Sequence, residues 1–227
     1  MTGLSVAVIV TCHDLEPYLF ECVQSVKNQT MQPSELIIVH DGCKRGVIKD
    51  EFPFATNVIR GKTEGVARAR HEGVLLSRSQ HILFLDADDC FDEYFIESMV
   101  KTKAKTKASI IYPNVLLWSN WSTEHPMRNA WHESPDEITW EKMMEYNQIV
   151  VSSLIPRALY DEVEGFGNEP ILEDYAFFLK CMRSDATFAK SGQSVLRYRQ
   201  RENGRNRRNN DLKNQWYYQI KERYEKS

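Results

Sequence analysis

Residues 81–89 read HILFLDADD, and this stretch decides how the rest of the chain is interpreted. Its apolar positions, 82–85, run without alternation into Asp86, Asp88 and Asp89. An apolar run without alternation is typical of a strand that is buried on both faces, as at the centre of a parallel sheet. We therefore predict a central strand whose carboxyl end carries acidic side chains, at the edge where open α/β sheets bind their ligands.

The acidic cluster at the end of this strand has two interpretations. Neighbouring negative charges repel one another, so a bound cation would stabilise them, and hard carboxylate oxygens suit Mg²⁺ or Mn²⁺ better than zinc. The alternative is a solvated acidic turn in front of a helix that Asp92 caps. This stretch by itself leaves both interpretations open.

Strands and helices alternate on both sides of the central strand. We predict further strands at residues 4–11, 36–39, 56–60 and 109–117, and helices at residues 18–28, 65–76 and 92–103. Alternation of this kind predicts an α/β fold with a mostly parallel central sheet that is flanked by helices.

Residues 118–140 interrupt the alternation. The segment contains four tryptophans and shows little periodicity, and a connection of that length is usually functional or mobile. Beyond it we predict strands at residues 150–155 and 195–199, and helices at residues 140–146, 157–164, 173–183 and 211–226.

The composition predicts a cytoplasmic protein, either free or peripheral to a membrane. A net charge of −3 over 227 residues requires neither nucleic acid nor membrane as a partner. The five cysteines form no C-x-x-C pair, which favours a reducing compartment. No apolar run approaches the roughly 20 residues of a membrane-spanning helix, so we expect no transmembrane segment.

Several motifs occur in an order that resembles one family. They are VAVIVTCHD, ECVQSVKNQT, LIIVHDG, EGVARARHEGV and ILFLDADD in the first half, then ILEDYAFFLKCM and LRYRQRENGRNR. Together they resemble glycosyltransferase family 2, the inverting sugar-nucleotide transferases of GT-A fold. The resemblance implies one domain: a Rossmann-like nucleotide-sugar-binding half at residues 1–117, an acceptor and catalytic half at 118–210, and a C-terminal helix at 211–227.

The resemblance also implies residues that bind the nucleotide. Asp41 matches the aspartate that accepts a hydrogen bond from the base, and Thr11 and His13 match positions that line the base. Arg70, in Ala-Arg-His, matches an element that borders the nucleotide, and Asp86 matches a ribose and diphosphate ligand. The expected donor is a nucleoside-diphosphate sugar, most simply a UDP-sugar that carries a hexose.

The metal and the catalytic base follow from the same resemblance. Asp86 and Asp88 match the D-x-D pair that holds Mn²⁺ or Mg²⁺, and Asp89 is a further candidate ligand. Asp174 matches the base that takes the proton of the acceptor hydroxyl, with Glu173 beside it. Without the resemblance, this acidic pair would be explained by the dipole of the helix that it opens.

The sequence departs from the family pattern at two positions. Relatives often have a histidine in the closing loop, where this chain has Arg199-Gln200-Arg201. We expect Arg201, together with Arg199, to pair with the diphosphate instead. His40 precedes Asp41 where many relatives have a second aspartate, and we expect it to pack in the interior or to face solvent.

The tryptophan-rich segment is a candidate acceptor site. Because tryptophan rings stack on the apolar faces of sugars, Trp118, Trp121 and Trp131 are candidates for contact with a glycan or another hydroxyl acceptor. The alternative is that these rings pack the interior of an irregular segment.

Two other functions are compatible with such a scaffold. A sugar nucleotidyltransferase usually has a glycine-rich basic loop after its first strand, and residues 11–14 do not form one. A non-catalytic binding module would not need Asp174. No aromatic and basic surface favours nucleic acid as a partner.

Overall fold

The computed structural model describes residues 3–13, 16–42, 52–118, 130–201 and 210–225. The strands are β1 (Val6–Cys12), β2 (Glu35–Asp41), β3 (Thr56–Arg60), β4 (His81–Asp86), β5 (Cys90–Phe91), β6 (Ile110–Trp118), β7 (Ala130–His132), β8 (Ile155–Pro156) and β9 (Phe188–Arg199). The helices are α1 (Glu16–Lys27), α2 (Val66–Leu76), α3 (Phe95–Thr106), α4 (Trp140–Glu145), α5 (Arg157–Glu162), α6 (Glu173–Arg183) and α7 (Asn210–Glu225).

The central sheet has the strand order β3-β2-β1-β4-β8, and only β8 runs antiparallel to its neighbour. The apolar run in β4 supplies both faces of this sheet. Ile82 and Phe84 pack into one hydrophobic core, whereas Leu83 and Leu85 pack into the other. This division explains why the run does not alternate with polar residues, and it confirms the predicted mostly parallel α/β fold.

A second sheet has the order β5-β9-β6-β7, and β6 runs parallel to β9. The sequence pattern placed residues 109–117 in the central alternation, but β6 belongs to this second sheet. Strand β9 begins at Phe188 rather than at residue 195. Its first half was not predicted because the polar residues before Val195 show no strand periodicity, although their backbone pairs with β6. Short strands β5 and β7 were not predicted.

Two other predictions were wrong. Residues 150–155 are mostly irregular: the Ser153 amide bonds to the Val151 carbonyl at 2.7 Å, and only Ile155–Pro156 forms a strand. Asp92 does not cap α3, which begins at Phe95. The Asp92 carboxylate accepts a hydrogen bond from the Val195 amide at 3.2 Å, and burial raises its pKa to about 6.

Helix α7 is docked on the second half of the chain. Ile220 is fully buried and Tyr224 nearly so. The Tyr217 ring stacks on Tyr175 with 5.3 Å between centroids, and its hydroxyl donates to the Met144 carbonyl at 3.2 Å. These contacts fix α7 against α4 and α6. None of the helices in the described ranges has the length and apolarity to cross a bilayer.

Candidate active site

The carboxyl ends of β1, β2 and β4 meet at one edge of the central sheet. The register places Thr11 opposite Asp86, and the Thr11 hydroxyl donates to Asp86 Oδ1 at 3.3 Å. The exposed ring of His13 has its Nδ1 2.7 Å from the Asp41 carbonyl oxygen. The structure thus brings together Thr11, His13, Asp41 and Asp86, as expected for side chains that follow neighbouring parallel strands.

The Asp41 carboxylate is buried and held by backbone amides. Oδ1 accepts from the Glu64 amide and Oδ2 from the Gly65 amide, both at 3.0 Å. The Arg60 guanidinium lies 3.5 Å from Oδ1. Arg60 was not predicted as a site residue, although it lies at the end of β3 just as Asp41 lies at the end of β2. A carboxylate oxygen can accept two hydrogen bonds, so the group can still accept from a ligand N–H.

A buried arginine links this edge to helix α6. Arg70 is 2% exposed, and its two terminal nitrogens donate to Asp86 and to Glu173, each at 2.8 Å. Burial by itself would lower the pKa of Arg70, but the adjacent carboxylates of Asp86 and Glu173 outweigh it and raise the pKa. Arg70 therefore stays charged and holds the beginning of α6 against the end of β4.

Asp174 lies half-buried in the first turn of α6, next to Glu173. Its Oδ1 accepts from the Tyr175 amide at 2.8 Å, and its Oδ2 accepts from the Asn147 side chain at 3.3 Å. These hydrogen bonds and the positive end of the helix dipole stabilise an ionised carboxylate. Asn147 follows α4 in an irregular stretch, and no sequence pattern pointed to it.

The turn after β4 is held by two arginines. Asp88 Oδ2 accepts from Arg201 Nε at 2.6 Å, and Asp89 Oδ1 accepts from the Arg199 amide at 2.8 Å. Burial, followed by the charge of Asp86, raises the pKa of Asp88. Burial, followed by the charges of Asp88 and Asp86, raises the pKa of Asp89 well above its ordinary value. The repulsion among the carboxyl groups of this turn is thus only partly offset by Arg199 and Arg201.

Arg199 is itself positioned by Trp118. The Arg199 guanidinium lies 3.8 Å from the centre of the Trp118 ring, and it donates to the Asp88 carbonyl at 2.8 Å and to Glu21 at 2.5 Å. Trp118 is 8% exposed. This arrangement favours the packing interpretation for Trp118, while its contact with an acceptor stays a prediction.

The other two candidate tryptophans are placed differently. Trp131 is 55% exposed on β7, and Trp121 lies outside the described residues. His40 is buried, with its Nε2 3.3 Å from Asn57 Oδ1, as expected for an interior side chain.

A cavity of about 570 Å³, a size typical of small-molecule sites, is lined by some of the charged groups described above. Its lining includes the charged groups of Arg70, Asp86, Asp89, Glu173 and Asp174. Tyr198 also lines it. Burial, followed by the charge of Asp89, raises the pKa of the Tyr198 phenol, so this group remains protonated at neutral pH. Tyr198 was missed because it belongs to a strand whose register could not be predicted.

The acidic turn fits a diphosphate-bound cation better than a metal cage. The described part of the chain contains no group of three or more His, Cys, Asp or Glu side chains arranged to hold a metal ion. Magnesium bound to a nucleotide needs only one or two protein carboxylates, with phosphate and water completing its shell. Asp86 and Asp88 supply such oxygens, and they fit Mg²⁺ or Mn²⁺ in that role. Asp89, which bonds to the Arg199 amide, is the less accessible candidate.

Residues 7–157 match the family described as Glycosyl transferase family 2. Among the relatives, glycosyltransferase GlyG of Streptococcus pneumoniae is 30% identical over 115 residues, which cover 48% of this chain and 38% of GlyG. An uncharacterized glycosyltransferase of Haemophilus influenzae is 28% identical over 184 residues, which cover 78% of this chain and 62% of that protein. The chain thus spans between about a third and two thirds of these relatives.

The fold is shared with TarS of S. aureus. The crystal structure of TarS residues 1–349 with UDP-GlcNAc has a TM-score of 0.71 and 14% identity, covering 88% of this chain and 60% of that one. The corresponding structure with UDP has a TM-score of 0.69 and 14% identity, covering 87% and 61%. At this identity, the likeness establishes the fold.

Proposed function

Because the chain belongs to glycosyl transferase family 2, we propose that it is an inverting glycosyltransferase that moves a hexose from a UDP-sugar to an acceptor hydroxyl. The observation that carries this proposal is the cavity that Asp86 and Asp174 both line. The solved structures of TarS with UDP and with UDP-GlcNAc support the choice of UDP.

The nucleotide would bind at the edge formed by β1 and β2. The Asp41 carboxylate, fixed by two amides at 3.0 Å, would accept a hydrogen bond from the uracil N–H. The exposed His13 ring would stack on the base, since its Nδ1 is anchored to the Asp41 carbonyl. Thr11 and Asp86 would contact the nucleoside next to it.

The diphosphate would lie against the turn that follows β4. Asp86 and Asp88 would hold Mg²⁺ or Mn²⁺, which supplies charge neutralisation for the departing diphosphate. Arg201, already 2.6 Å from Asp88, is close enough to pair with a phosphate oxygen as well. Arg199, which is buried against Trp118, holds the turn in place.

Asp174 would act as the general base. Its carboxylate would take the proton of the acceptor hydroxyl while that oxygen attacks the anomeric carbon on the face opposite the diphosphate, which inverts the configuration. Asn147 orients one oxygen of Asp174, and the pair formed by Arg70 and Glu173 fixes the helix that carries it.

The decisive experiment separates binding from catalysis in Asp174→Asn. We expect the variant to bind UDP within twofold of the wild-type affinity in calorimetry with Mn²⁺, and to lose at least about 100-fold in kcat, because general-base catalysis contributes 10²–10⁴-fold. Asp161→Asn, at an exposed carboxylate of α5, is the matched control and should retain full activity.

The products test the rest of the proposal. Release of UDP, with inverted configuration in the NMR spectrum of the product, is expected. Release of pyrophosphate would identify a nucleotidyltransferase instead. Full turnover by Asp174→Asn would exclude Asp174 as the base, and absence of UDP binding with or without Mn²⁺ would contradict the proposal as a whole.

A further inference from the structure

Helix α7 forms part of the lining of this cavity. Lys213, Asn214 and Tyr217 line the cavity from the first half of this helix. Tyr217 lies three residues after Asn214 and four after Lys213, and these spacings put side chains on one face of a helix. That face is held in place by the Tyr217 contacts with Tyr175 and Met144 and by the buried Ile220. The C-terminal helix is therefore a fixed part of the site.

The segment that follows α4 lines the same cavity. Tyr146, Asn147 and Gln148 line the cavity, and the Tyr146 ring is 56% exposed. The Gln148 amide donates to the Lys142 carbonyl at 3.1 Å, which fixes the segment. Asn147 bonds to Asp174 at 3.3 Å, which places this segment next to the carboxylate that would act as base.

The side chains that α7 and the segment after α4 contribute to the lining are suited to binding a sugar. Side-chain amides donate to and accept from hydroxyl groups, and an exposed aromatic ring covers the apolar face of a pyranose. Asn214 and Tyr146 provide these two kinds of contact. The Trp118 ring, by contrast, does not line the cavity and is covered by Arg199.

We propose that residues 145–148 and the cavity-facing side of α7 form the acceptor subsite, and that the acceptor is a carbohydrate. This inference rests on the proposed function, since the attacking hydroxyl of that sugar would lie next to Asp174. Tyr146 stacks on the acceptor ring, and Asn214 and Lys213 bind its hydroxyl groups.

The first experiment tests the class of acceptor. UDP release from a panel of UDP-hexoses with Mn²⁺ is measured alone and with p-nitrophenyl glycosides of glucose, galactose, mannose, N-acetylglucosamine and N-acetylgalactosamine. We expect at least one glycoside to accelerate UDP release tenfold or more over hydrolysis of the donor. If the protein binds UDP but no glycoside accelerates release, the carbohydrate subsite is refuted, whereas failure to bind UDP would contradict the proposed function itself.

The second experiment tests the location of the subsite with that glycoside. Asn214→Ala and Tyr146→Ala should each raise the acceptor KM at least about fivefold, while the dissociation constant for UDP changes less than twofold. Gln215→Ala, at the exposed neighbour of Asn214 outside the cavity, should leave both values unchanged. An acceptor KM that stays at the control value, or an equal loss of UDP affinity, would overturn the assignment. Because both substituted side chains are exposed, the variants are expected to fold.

Discussion

The polar side chains at the two ends of strand β4 lie in different environments. At the carboxyl end, Asp86 accepts hydrogen bonds from Thr11 and Arg70 at 3.3 and 2.8 Å. At the amino end, His81 is 8% exposed, and neither ring nitrogen has a hydrogen-bond partner among the residues that the structure describes. At the carboxyl end, a network of charged groups faces the cavity. At the amino end, burial keeps the His81 ring neutral.

We therefore expect the carboxyl end of β4 to serve the candidate site and the amino end to affect only stability. In open α/β sheets, ligands bind at the carboxyl ends of the strands, so charge is retained there and matched with opposite charge. The amino end of the strand lies away from that edge, and a buried ring there contributes only while it is neutral. Substitutions at the two ends should therefore be distinguishable by which property they change.

The largest expected effect is at the charged end, in Arg70→Met. Removing one partner from a buried charge network leaves the carboxylate of Glu173, which is 2% exposed, without its cation. We expect the free energy of unfolding to fall by about 4 kcal/mol in urea titrations, since breaking such a pair costs 3–5 kcal/mol. Arg78→Met, at an exposed arginine, should change stability by less than about 0.5 kcal/mol.

A double substitution sharpens this test. Adding Glu173→Gln to Arg70→Met removes the stranded charge, so part of the lost stability should return as a coupling energy between the two sites. If Arg70→Met costs no more than Arg78→Met, or if the two substitutions simply add, the network does not hold α6 against β4.

A somewhat smaller effect is expected from Trp118→Ala, which removes the ring beneath Arg199. We expect a loss of about 3 kcal/mol in the free energy of unfolding, as for other buried tryptophans, together with weaker UDP binding because the turn at Asp88 is loosened. Trp131→Ala, at a ring that is 55% exposed, should leave stability nearly unchanged.

The acceptor KM distinguishes the two interpretations of these tryptophans. Packing beneath Arg199 predicts that Trp118→Ala leaves the acceptor KM unchanged. A rise in the acceptor KM with unchanged stability would instead show that the Trp118 ring contacts the sugar.

The parts of the site that follow central strands could be predicted from the sequence. Thr11, Asp41 and Asp86 stand where apolar runs end, and parallel pairing brings the ends of such runs to one edge without further information. The fold class followed from the same runs. Arg60 also follows a strand, at the end of β3, but the residues around it gave no indication that its charge pairs with Asp41.

The rest of the site depends on contacts that no local pattern encodes. Periodicity identified β6 as a strand but not its neighbour, and the second sheet forms because β9 returns from a distant part of the chain. Asn147 reaches Asp174 from an irregular segment, and α7 reaches the cavity through docking at Tyr217 and Ile220. These approaches are set by tertiary packing, which no local sequence pattern records.

The smallest expected effect concerns the neutral end of β4 and depends on pH. Burial, followed by the charge of Lys103, lowers the pKa of His81 to about 4, compared with about 6.5 in an unfolded chain. Between these values the unfolded state binds the proton more readily, so the stability contributed by the neutral ring is complete above about pH 6.5 and is lost as the pH falls towards 4. We expect this contribution to be about 2 kcal/mol, measured as the free energy of unfolding at pH 7 and at pH 4.5.

His81→Phe tests this assignment because it removes the titrating group and keeps a buried ring. The variant should lose about 2 kcal/mol less than the wild type between pH 7 and pH 4.5, and UDP binding at pH 7 should not change, since the ring lies at the end of β4 away from the cavity. His132→Gln, at an exposed histidine, should retain the wild-type pH dependence of stability. An identical pH dependence in His81→Phe and the wild type would show that His81 does not titrate with folding. A loss of UDP affinity would show that the two ends of the strand are coupled.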